Sequence, residues 1–75
     1  MTDDEALHLE REQKELDRLR EYVRFCEAYR YRHKRLSNKE SVRYYTDKIH
    51  DLNTRIALQA TKVGELKLKL GVLVP

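Results

Sequence analysis

Val42, Tyr45, Ile49, Leu52, Ile56, Gln59, Val63, Leu66 and Leu70 recur at steps of three and four along the second half of the chain. That spacing puts them on one seam of an α-helix, the pattern by which a chain specifies a helical partner. Gln59 alone breaks the apolar run. A second seam precedes it: Leu9, Leu16, Leu19, Val23, Cys26 and His33 share one register, with Glu12 and Arg30 as polar members. Tyr22, Tyr29 and Leu36 widen this stripe on one side. Two such seams demand that helix pack on helix.

The helix boundaries are written in short polar signals. Thr2-Asp3-Asp4-Glu5 reads as a capping box, in which the Thr2 hydroxyl takes the Glu5 amide and Glu5 reaches back. No Gly or Pro follows until beyond Leu36, so helix 1 is expected over about residues 3–36. Its last turn, Arg32-His33-Lys34-Arg35, suits the negative end of a helix dipole. Ser37-Asn38-Lys39-Glu40 repeats the capping signal, with Ser37 as the preferred cap and Asn38 as the alternative. Helix 2 then runs from about 38 to about 70, with Gly71 as its stop. A turn at 37–38 forces the two helices to lie antiparallel.

The two seams fit that hairpin. Residue numbers summing to 75 pair Leu9 with Leu66, Leu16 with Gln59, Leu19 with Ile56, Val23 with Leu52 and Cys26 with Ile49. Beside the seam of helix 2 stand Lys48, Arg55, Lys62 and Lys69, all basic. Helix 2 paired with itself has no acids to answer them. In the hairpin Lys62 is expected to meet Glu15, while Arg55 and Lys48 lay their stems over Tyr22 and Tyr29. The sequence therefore predicts an all-α protein: one domain over residues 1–75, an antiparallel two-helix coiled-coil hairpin. Glu65-Leu66-Lys67-Leu68-Lys69-Leu70 also alternates as a strand would, and Gly64 could end the helix early. Heptad continuity favours helix here.

Composition narrows the function classes. With 75 residues and 39% of them charged, the chain has too little apolar mass for a barrel or an α/β domain. Ile, Leu and Val at the seam positions argue against disorder. One cysteine cannot form an internal disulfide, which favours a reducing compartment. Residues 1–22 show no basic start followed by an apolar core, and no apolar run approaches the ~18 residues that span a bilayer. A cytoplasmic location is expected.

A hairpin buries one stripe per helix, and Tyr22, Phe25, Tyr29, Leu36, Tyr44 and Leu58 are left over. Dimerisation into a four-helix bundle, or docking in a larger assembly, would cover them. Val72, Leu73 and Val74 form an apolar tail that could dock on a partner or fold back near Leu7 and Leu9. Charge is unevenly spread: residues 1–22 carry −4, residues 23–43 carry +5 and residues 44–75 carry +2. The basic pole holds Arg24, Arg30, Arg32, Lys34, Arg35, Lys39 and Arg43, interleaved with Tyr29, Tyr31, Tyr44 and Tyr45. Such a tip could contact an acidic partner or nucleic acid, although a charge run is more often a solvated face.

Glu5-x-x-His8 and Asp47-x-x-His50 have a spacing used in di-iron bundles, but His50 points outward and the complementary inward acids are missing. Cys26 at a seam position reads as a small core side chain with no base beside it. No phosphate loop or nucleophile motif is present. The expected function is non-catalytic and needs no cofactor or metal: a protein–protein interaction or oligomerisation module, self-associating or docked in an assembly. The alternative is a nucleic-acid-binding regulator acting through the basic, Tyr-rich tip.

Overall fold

No Gly or Pro stands between Asp3 and Arg35, and the helix there is uninterrupted. In the computed structural model, which describes residues 3–71, α1 spans Asp3–Arg35 and α2 spans Lys39–Lys69. The two pack as a hairpin, giving a rod of 53 × 20 × 15 Å. Its length is that of a 33-residue helix at ~1.5 Å per residue. The protein is an all-α helical hairpin. The capping box at Thr2 and the tail at Val72, Leu73 and Val74 lie outside the described residues.

The turn closes α1 and opens α2 in three residues. Ser37 takes a left-handed conformation, φ 59°, and donates its amide to the Lys34 carbonyl at 3.1 Å. Asn38 donates its own to the His33 carbonyl at 3.0 Å. These two bonds form a Schellman motif, whose left-handed position is usually glycine. Asn38 then caps α2, its Oδ1 accepting the Ser41 amide at 3.2 Å. This corrects the expectation of Ser37 as cap. A cap needs negative φ so that its side chain can fold over the next turn, and Ser37 has been rotated into positive φ to end α1. Glu40 consequently falls one place short of the position that a capping box requires.

At the far end Leu70 and Gly71 terminate α2, with Gly71 at φ 72° and its amide on the Leu68 carbonyl at 3.1 Å. Helix continues through Gly64 to Lys69, so the alternating Glu65–Leu70 stretch is helical rather than extended. Its period-two appearance comes from Lys67 and Lys69 separating leucines that the 3.6-residue repeat spreads around the helix.

The core follows the seams. Leu19, Val23, Cys26, Ile49 and Leu52 form one buried cluster, with Tyr45 and Ile56 packed against it. Leu16 and Val63 are also buried. Val42, Leu66 and Leu70 are half-buried, as seam residues become where only one partner helix covers them.

Candidate functional site

Three groups of side chains could carry function: a polar contact inside the seam, an aromatic group beside the turn, and the basic tip. The first joins the helices well away from the turn. Gln59 Nε2 donates to the Glu12 backbone carbonyl at 2.9 Å and to the Glu12 carboxylate at 2.6 Å. Lys62 Nζ approaches the other carboxylate oxygen at 3.3 Å. The Glu12 carboxyl is held below its ordinary value, first by the Gln59 hydrogen bond and then by Lys62. Lys62 thus meets Glu12 rather than Glu15. Glu15 is already engaged by Arg18 on its own helix through two bonds of 2.8 and 3.0 Å. That bidentate pair lowers its carboxyl as well.

The second group was not legible as a unit. Tyr29, His33 and Tyr45 stack with nearly parallel rings, Tyr29–Tyr45 at 5.6 Å, His33–Tyr45 at 5.7 Å and Tyr29–His33 at 6.5 Å. Phe25 leans on Tyr29 at 4.5 Å, and Tyr44 meets Tyr45 edge-on at 5.1 Å. The stack clamps α1 to α2 next to the turn, at ring separations where aromatic pairs attract. The signal was present: His33 and Tyr45 are seam residues and Tyr29 flanks them. Because Tyr29 turns inward, its ring is covered by Tyr45, and Arg32 lies over it at 5.8 Å. Lys48 sits over Tyr22, also at 5.8 Å. Lys48 therefore lies over Tyr22 rather than the expected Tyr29.

In the basic tip, Arg24, Arg32, Lys34, Arg35, Lys39 and Arg43 are exposed, and Arg30, a seam residue, is half-buried. Tyr31 and Tyr44 are exposed too. Arg32 and Arg35 line a shallow cleft with Ala28, Tyr31 and Leu36. Lys34, Lys39 and Arg43 border a second one over the turn with Ser37, Asn38 and Val42.

Elsewhere the chemistry is plain. Burial pushes the Cys26 thiol up, against a smaller opposing effect of Lys48. Among the described residues no three His, Cys, Asp or Glu side chains converge as a metal ion would require. No helix among them is long and apolar enough to cross a membrane. Compared with protein-family models, curated proteins and solved structures, the chain matches none.

Proposed function

We propose that this protein is a non-catalytic interaction and oligomerisation module: a helical hairpin that self-associates, or docks as a small subunit in a larger helical assembly. One observation carries the reading. Tyr22, Phe25, Leu36, Tyr44 and Leu58 are all exposed, Leu36 and Leu58 at 69%. Their heptad positions put every one of them on the same side of the hairpin, the side of Lys48 and Lys62. Apolar side chains scattered singly would be ordinary, but a one-sided row along a rod is what a bundle covers. Seven buried side chains among the described residues also make a small core for a free-standing domain, and burying this row in a partner would enlarge it.

A reducing, cytoplasmic setting suits a chain whose lone thiol is buried and unpaired. The test is the mass of the full chain in solution by sedimentation equilibrium, alongside the double variant Phe25→Ser/Leu58→Ser. The expected outcome is a concentration-dependent dimer that the double variant abolishes. A monomer at every concentration that also fails to join any larger helical complex would defeat the proposal.

A further inference from the structure

Folding sorts the charge of this chain in a way the sequence totals conceal. Residues 23–52, the half of the hairpin nearest the turn, hold eight Arg and Lys against four Asp and Glu. The other half, residues 3–22 with residues 53–69, holds eight against nine. α2 thus lays its C-terminal bases beside the acids of α1, and the excess positive charge is left at the tip. The ion pairs follow the same division. Lys14–Glu10, Arg18–Glu15 and Lys62–Glu12 all lie in the open half. Among the described residues, none of Arg24, Arg30, Arg32, Lys34, Arg35, Lys39 and Arg43 is in an ion pair.

These cations stand around a shaped surface. On the outer side of α1, Ala28 forms the floor of a shallow cleft of about 510 Å³ whose rim is Tyr31, Arg32, Arg35 and Leu36. No acid lines it; the nearest in sequence, Glu27, lies outside the lining. Tyr31 is 65% exposed, and it lies on a different side of the hairpin from the row formed by Tyr22, Phe25 and Tyr44. The cleft over the turn extends the positive strip with Lys34, Lys39 and Arg43.

We propose that this face, Tyr31 with Arg32 and Arg35 over the Ala28 floor, binds single-stranded nucleic acid. Arginine predominates over lysine among the tip cations, and its planar fork matches phosphate oxygens and also stacks on bases. A cleft rimmed by two arginines and an exposed flat ring offers a phosphate and its neighbouring base a place each. An acidic helix would answer the cations but leave the Tyr31 ring without a role. A duplex keeps its bases stacked on one another, so it too would leave that ring unused. Lys34, Lys39 and Arg43 then guide the continuing backbone across the turn. Leu36 borders this site and also belongs to the proposed oligomerisation row, whereas Tyr31 and Arg35 lie outside that row. The Tyr31 variants and the Phe25→Ser/Leu58→Ser variant therefore test the two readings independently.

The experiment is fluorescence anisotropy of the full chain with a labelled oligothymidine of about 20 nucleotides, longer than the roughly 4–16 that such grooves cover. A duplex of equal length and polyglutamate serve as competitors. The oligothymidine should bind more tightly than either, with affinity falling as salt rises. Tyr31→Ala leaves the charge unchanged and should weaken binding about 5-fold or more, while Tyr31→Phe should retain it. Arg32→Gln/Arg35→Gln should flatten the log–log salt slope by about 1.4, as two lost phosphate contacts to a single strand imply. Circular dichroism confirms that each variant remains folded. Absence of binding at low salt overturns the proposal. Equal binding of oligothymidine, duplex and polyglutamate with no effect of Tyr31→Ala also overturns it, and assigns the tip to acidic partners in general.

Discussion

Gln59 reaches across the seam to hold Glu12 twice, by its backbone carbonyl and by its carboxylate, at 2.9 and 2.6 Å. An apolar residue in place of Gln59 would fill the seam more simply. What it could not do is offer a donor to an acid whose side chain is only 16% exposed. Polar pairs within a seam discriminate against other alignments, because a slip of one heptad in either direction sets the Glu12 carboxylate against Leu52 or Leu66. Here the contact lies between buried Leu16 and buried Val63.

The Glu12 carboxyl is lowered from 4.5, first by Gln59 and then by Lys62. Its contribution to stability is therefore complete above about pH 4.5 and is lost as pH falls through the depressed value of the folded state. Glu15, lowered by Arg18, acts in the same sense. Urea midpoints compared at pH 7 and pH 3 should show a loss for the native chain and a smaller loss for Glu12→Gln. Equal losses would mean that Glu12 does not contribute to the pH dependence.

Leu52 is 4% exposed within the main cluster. Leu52→Ala should cost about 2–5 kcal/mol, the range for buried leucines whose surroundings relax only partly. Thermal melting by circular dichroism reads it directly; an unchanged transition would contradict the packing.

Gly64 lies inside α2, and a Cβ placed there would meet nothing within 4 Å. Gly64→Ala removes backbone freedom from the unfolded chain without a clash, so it should stabilise by about 0.5–1 kcal/mol. A melting temperature several degrees higher is expected. Gly71→Ala should do the opposite, although space is equally open there, because φ 72° strains any side chain.

Cys26 is 2% exposed and its thiol is raised by burial. Reaction with an aromatic disulfide reagent should be slow in the folded protein and immediate in denaturant, with the Leu52→Ala variant between them. Fast labelling of the native chain would mean that the hairpin opens often at this level.

The seams were legible because burial in a helix pair is periodic, and the rule that paired residues sum to 75 brought together Val23, Leu52, Cys26 and Ile49, which share the core cluster. Contacts beside the seam were less legible. Lys62 could reach Glu12 or Glu15 from the same position, and the choice was made by Arg18, a residue on the other helix that had already occupied Glu15. The cap failed for a related reason. Ser37-Asn38-Lys39-Glu40 has the right letters for a capping box, yet the end of α1 claimed Ser37 first. Sequence patterns score each element alone, whereas side-chain partners and turn conformations are settled by competition between elements.

The left-handed Ser37 has one more consequence, which concerns who pairs with whom. Returned to helical dihedrals, it would fuse α1 and α2 into a single rod from residue 3 to residue 69, about 100 Å long. In such a rod the seam of α2 would face away from the seam of α1, because Val42 and Tyr45 fall at outward positions of the heptad that Arg30 and His33 set. A single rod therefore cannot present both seams to one neighbour, and the left-handed turn is what brings them face to face. The strain of a non-glycine residue at φ 59°, about 1–2 kcal/mol, is what that turn costs. Ser37→Gly should therefore stabilise the hairpin by about 1 kcal/mol, as urea denaturation would read, and an unchanged midpoint would mean that the turn carries no strain. A single dihedral at the surface, touching none of the core, sets the topology through which that core is assembled.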